Sequence, residues 1–175
     1  MPVKNFDVPP TMVGCYAAIN QCRALIAHLN PEHYRFSAAG KSSIGGHMRH
    51  VVEHFTCFLD GLPTGEVCYD RRQRDLTLEQ DPVAVDAVLA RVESNLRLLE
   101  SADLKRPLLM FVMPGPDQPE ESVQSNIQRE LLFVAHHAIH HLAIMKMQAE
   151  QIAPGQIPDD LGVAWSTLAY RQSQH

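Results

Sequence analysis

IQRELLFVAHHAIHHLAIM, residues 127–145, sets Ile127, Leu131, Val134, Ala138, Leu142 and Met145 three or four positions apart. That is the spacing of one face of an α-helix. Ser125-x-x-Gln128 just ahead of it matches a capping box, and the next proline is Pro154, so a long helix is predicted from Ile127 to about Pro154. At about 100° per residue, His137 and His141 fall beside the apolar stripe. His136 and His140 point roughly the other way and are expected to be exposed or at an interface. The inward pair stands one turn apart, as two metal ligands on one helix do.

Three further stretches carry the same period. Met12, Tyr16, Ile19, Cys22, Leu25, Ile26 and Leu29 mark a first helix after Pro9-Pro10, ended by Asn30-Pro31. Ile44, Met48, Val51, Val52, Phe55, Phe58 and Leu59 mark a second, capped by Ser42 or Ser43 and stopped by Gly61 and Pro63. Asp81-Pro82 opens a third through Val85, Val88, Leu89, Val92, Leu96 and Leu99. Val67-Cys68-Tyr69 does not read as helix. Leu108 to Met113, closed by Pro114-Gly115-Pro116, reads as a strand that pairs with Glu121 to Gln124 across the turn. After Asp159 a loop and a short packed segment around Trp165 are expected. With no internal repeat or linker, the expectation is an all-α four-helix bundle with a small hairpin before the last long helix, one domain over residues 1–175.

Composition narrows the function. Apolar residues at 45% and charged residues at 20% suit a globular chain that builds its core without a structural metal. No apolar run approaches bilayer length, so no membrane role is expected. Residues 1–10 lack the pattern of a secretory signal, and a cytoplasmic location is expected. A net charge of −5 without a basic stripe argues against nucleic acid. Cys15, Cys22, Cys57 and Cys68 contain no C-x-x-C pair and read as reduced thiols, with Cys15 and Cys22 on one helix face. The ten histidines are the compositional oddity. Most fall in groups: His28 with His33; His47, His50 and His54; and His136, His137, His140 and His141.

A clamp made by His137 and His141 needs a third ligand, and the second helix offers three. The wheel puts His47 and His54 at the border of its apolar face and His50 further round, so periodicity favours His47 or His54. A single histidine beside an apolar face is more often a packing residue than a ligand. The i, i+4 pair together with a second histidine cluster on another long helix reverses that for the set.

SIGGHMRHVVEH (residues 43–54) followed by RELLFVAHHAIHHL (residues 129–142) resembles the DinB-like superfamily. That resemblance implies a four-helix bundle with a three-histidine metal site, in a group that includes thiol-dependent transferases and the amino-terminal domain of ergothioneine-type sulfoxide synthases. It implies His50 as the second-helix ligand, seven residues after Ser43, and His137 and His141 as the last-helix pair; His47 is the reserve. A wheel ignores helix tilt and the wide interior face of a bundle, so His50 is taken. Many members carry Gln three residues after the last histidine, where this chain has Ile144.

Three neutral imidazoles leave a position open for water or substrate. The expected chemistry is a metal-dependent enzyme that activates a small thiol or water against an electrophilic small molecule, as an S-transferase or hydrolase. Zinc or nickel is expected first, with iron or manganese also suited to nitrogen ligands. Glu130 is the candidate catalytic base or outer-sphere residue, set against the ordinary reading of a solvated helix glutamate. Arg71, Arg72 and Arg74 are candidates to bind an anionic thiol, or else a solvated turn. The alternative is a non-catalytic metal-binding or stress-response protein. Phe133, Ile139, Ile144 and Met147 widen the apolar girth of the last helix, and a homodimer is expected to bury that second face.

Overall fold

The computed structural model describes residues 8–38 and 40–174. Four long helices follow the predicted apolar stretches: α1 (Pro10–Ala27), α3 (Ile44–Gly61), α5 (Pro82–Leu98) and α6 (Ile127–Ile152). Short helices α2 (Pro31–Arg35) and α4 (Thr77–Gln80) flank α3, and α7 (Trp165–Gln172) follows the bundle. The periodic reading passed over α2 and α4 because one turn cannot display a 3.6-residue repeat. α6 packs on α1 and α3, α3 also packs on α5, and α1 meets α5. Met12, Ile19, Met48, Phe55, Leu89, Leu96, Leu131 and Leu142 share the core between them, each at most 1% exposed. Among the described residues, no helix is long and apolar enough to cross a membrane.

A three-stranded sheet caps one end of the connections. β1 (Glu66–Val67) runs parallel to β2 (Pro107–Val112), and β2 pairs antiparallel with β3 (Glu121–Asn126) in a register that sets Leu108 opposite Ser125 and Met110 opposite Val123. The predicted hairpin is therefore present, two residues longer on its second strand. Tyr69–Arg71 makes a 3-10 turn directly after β1.

The start of α6 corrects the predicted capping box. Asn126, still extended at φ −151° and ψ 166°, is the N-cap, and its side chain accepts a 2.9 Å hydrogen bond from the Arg129 N–H. The chain stays in the strand through Asn126, so the first unpaired helical N–H groups fall to that side chain rather than to Ser125. α3 begins as expected, with the Ser43 hydroxyl accepting from the Gly46 N–H at 2.9 Å.

The second apolar face expected of α6 is partly covered by its own chain. Ile139 is 4% exposed in the core, Phe133 and Ile144 are half-buried, and Met147 is 64% exposed. Cys15 and Cys22 are buried and free, as the helix-face reading expects.

Candidate metal centre

Where α3 packs on α6, five histidines meet. His47, His50 and His54 lie three and four residues apart on α3, and His137 and His141 lie four apart on α6, so each set projects from one helix face. The contacts run in opposite senses along the two helices. His54 faces His137, with ring centroids 4.3 Å apart. His50 faces both His137 (4.9 Å) and His141 (4.6 Å), and His47 faces His141 (5.2 Å). The result is a zigzag column of imidazoles across the helix interface. At its middle the His50 and His137 Nε2 atoms are 2.9 Å apart. Donor atoms of His50, His54 and His137 lie within 4.8 Å of one another, a group able to hold a metal ion. The fourth ring, His141, stands beside two of these, at 4.6 Å from His50 and 4.5 Å from His137.

Outer contacts set the ring nitrogens. His54 Nδ1 lies 2.7 Å from the His50 carbonyl oxygen, so Nδ1 carries the proton and donates, which leaves the Nε2 lone pair free. His47 Nδ1 and His141 Nδ1 are 3.1 Å apart, one donating to the other. Desolvation holds the whole group neutral. It pushes His50 down to about 2, with repulsion from protonated His54 and His141 adding to the effect. Burial likewise lowers His54 and His137 to about 4 and His141 to about 3, and it lowers His47. Neutral imidazoles are the form that ligates a cation. Two nitrogens bound to one tetrahedral zinc stand about 3.3 Å apart, given bonds of about 2.0–2.1 Å, so the central pair needs little movement to share an ion.

Glu130 is not solvated. It is 0% exposed, and its carboxylate accepts from the Tyr69 hydroxyl (2.9 Å), the Ser125 hydroxyl (2.5 Å) and Arg129 (2.7 Å). The ordinary reading of a surface glutamate fails because β3 and the 3-10 turn close over the first turn of α6. Glu130 meets the histidines through Tyr69, whose ring stacks on His54 at 5.1 Å and 14°. Phe133 stacks on His137 at 5.6 Å and 21°. Tyr69 and Phe133 also line a cavity of about 270 Å³ with Met110, Val112, Val123 and Arg129. This cavity therefore shares a wall with the histidine column.

Two of the three arginines after β1 are engaged by the protein. Arg71 pairs with Glu120 and lies over the Phe111 ring. Arg72 donates to the Tyr69 carbonyl (3.1 Å) and approaches Glu53 (3.6 Å); Arg74 is exposed, with φ 56°. His136 is exposed and its ring meets Trp165 edge-on at 4.8 Å, and His140 is exposed. Sequence reasoning missed Tyr69 and Ser125. Tyr69 carries no local signal, since it lies 61 residues from Glu130 in sequence; Ser125, read only as a cap, turns to Glu130 five residues ahead because the strand runs straight into α6.

A family model described as the DinB superfamily matches residues 16–145, a span that contains α3 and the histidines of α6. A protein of Rhizopus delemar named FK506-binding protein 5 is 28% identical over 107 residues, which cover 61% of this chain and 28% of that protein. The chain thus spans just over a quarter of that relative. No solved structure matches the chain.

Proposed function

We propose that this chain, which belongs to the DinB superfamily, holds a divalent transition metal between α3 and α6 and is an enzyme that activates a small thiol or water there. The observation that carries this reading is the group of neutral imidazoles: donor atoms of His50, His54 and His137 lie within 4.8 Å of one another, and the His141 ring stands 4.6 and 4.5 Å from His50 and His137. His50, His137 and His141 are the proposed ligands, and zinc or nickel the proposed ion, with iron or manganese next. Such an ion supplies the Lewis acidity that lowers the pKa of a thiol or water.

The chain's own residues set the surroundings. Tyr69 and Phe133 bury the outer faces of His54 and His137 and keep bulk water from that flank. Met110, Val112 and Val123 give the adjoining cavity apolar walls, suited to the body of a small electrophile. Arg129, over the Phe133 ring at 5.2 Å, puts a guanidinium on that cavity for an anionic group of the substrate or a low-molecular-weight thiol. Glu130 acts on the site by holding Tyr69 in place.

The test is elemental analysis of the purified protein beside the triple variant His50→Ala, His137→Ala, His141→Ala. One equivalent of a transition metal in the native protein and none in the variant is expected, followed by thiol transfer in a screen of electrophiles. No metal in either protein, with equal stability, would make the histidines packing residues.

A further inference from the structure

We infer that the centre is a four-imidazole site, in which His54 and His141 both ligate the ion held by His50 and His137, while His47 positions His141. This rests on the metal reading above and extends its ligand set.

Two triangles of rings share the edge from His50 to His137. One is completed by His54, at 4.2 and 4.3 Å from the two, and the other by His141, at 4.6 and 4.5 Å. Both outer rings thus sit as near the shared edge as its own members, 4.9 Å apart, sit to each other. The opposite senses of α3 and α6 put them on opposite flanks of that edge; the donor atoms already within 4.8 Å of one another are those of His50, His54 and His137, so His141 is the ring that closes in when the ion binds. The tautomers agree with this assignment. Bonding of His54 Nδ1 to the His50 carbonyl occupies the nitrogen that would otherwise compete, and the His141 Nδ1 contact with His47 does the same when His141 is the donor, the tautomer this assignment requires. Each is left with Nε2, the same atom that His50 and His137 turn toward each other. Backbone carbonyls and neighbouring side chains fix ligating histidines in this way. His47 meets the column only at that Nδ1 contact, at the end far from His54, which makes it an orienting partner and not a ligand. Four protein nitrogens fill a tetrahedral ion, so a site that also takes substrate requires a cation accepting five or six ligands.

The test uses cobalt(II) as probe, loaded into chelator-stripped protein, with stoichiometry, competition affinity and visible absorption read together. The wild-type chain is expected to bind one equivalent with the weak absorption of a centre above four-coordinate. His47→Ala is expected to weaken binding by about 10- to 100-fold at unchanged stoichiometry, with His47→Gln restoring part of it through its amide. His54→Ala and His141→Ala each weaken it at least as much and shift the spectrum; His54→Gln repeats the measurement with more of the packing kept, should the alanine variant fail to fold. Wild-type affinity in a folded His54 or His141 variant overturns the four-imidazole assignment while leaving a three-histidine site. Wild-type affinity in a folded His47→Ala variant, or a fall in its stoichiometry, overturns the positioning role. No cobalt bound by the wild-type chain overturns the metal reading itself.

Discussion

Glu130 carries three donors in a fully buried position, and charge-assisted hydrogen bonds of that kind contribute about 1.5–3 kcal/mol each. Glu130→Gln keeps the shape but loses the charge and one acceptor oxygen. It is expected to destabilise the fold by about 1–3 kcal/mol, read by urea denaturation, and to loosen Tyr69 against His54. An unchanged midpoint would mean the carboxylate is solvated after all. The histidines set a pH dependence. Their folded-state pKa values lie below 6.5, so the unfolded chain binds more protons in acid. Metal-free protein is therefore expected to hold its full stability above pH 6.5 and to lose it as the pH falls from 6.5 toward 4, where His54 and His137 titrate. Melting temperature against pH for the wild type and for His50→Ala/His137→Ala measures this, and the double variant should show a shallower decline. At this scale His137 and His141 were legible as an i, i+4 pair. On α3 the wheel favoured His47 or His54 and the resemblance favoured His50; the two readings diverge because a wheel assigns only angle, not axial position, and all three rings meet α6.

α3 owes its placement to a residue without a side chain. A Cβ on Gly45 would lie 2.2 Å from the Glu79 carbonyl oxygen and 2.7 Å from the Tyr34 ring. Both are held: the Tyr34 hydroxyl donates to the Leu78 carbonyl at 2.6 Å, and Arg49 pairs with Glu79 at 2.6 Å. Gly45→Ala is expected to push α4 off α3 at a cost of about 1–3 kcal/mol, with the midpoint falling by denaturant titration and metal affinity falling too if α3 shifts against α6. At the other helix, Asn126→Ala removes a cap and is expected to cost about 1 kcal/mol. Ser125→Ala should act instead through Glu130, so the two variants separate the cap from the buried carboxylate. The four long helices were readable from apolar spacing, since each buries one stripe. The cap of α6 was misread because β3 runs into the helix without a loop, and that continuity comes from pairing with β2.

Across the molecule, the core and the histidine column are separate stabilising systems. Side chains such as Phe55, Leu89 and Leu131 are fully buried without reference to any ion. Chelation is therefore expected to lower the melting temperature without unfolding the bundle, the loss of stability being about 2.7 kcal/mol where the ion had been present at 100 times its dissociation constant. Collapse of the helical circular dichroism on chelation would show instead that the ion holds the fold. The sequence by itself determined the bundle, the hairpin before α6, the DinB resemblance and the helices that carry the imidazoles, because apolar periodicity and turn residues act over a few neighbouring positions. Only the tertiary structure decided that His54 joins the column, that His47 meets His141, that Glu130 is buried under Tyr69, and that Arg71 and Arg72 are engaged within the protein. Those facts depend on the axial shift and opposed directions of α3 and α6 and on the sheet folded across the start of α6, distances between remote segments that no local spacing encodes.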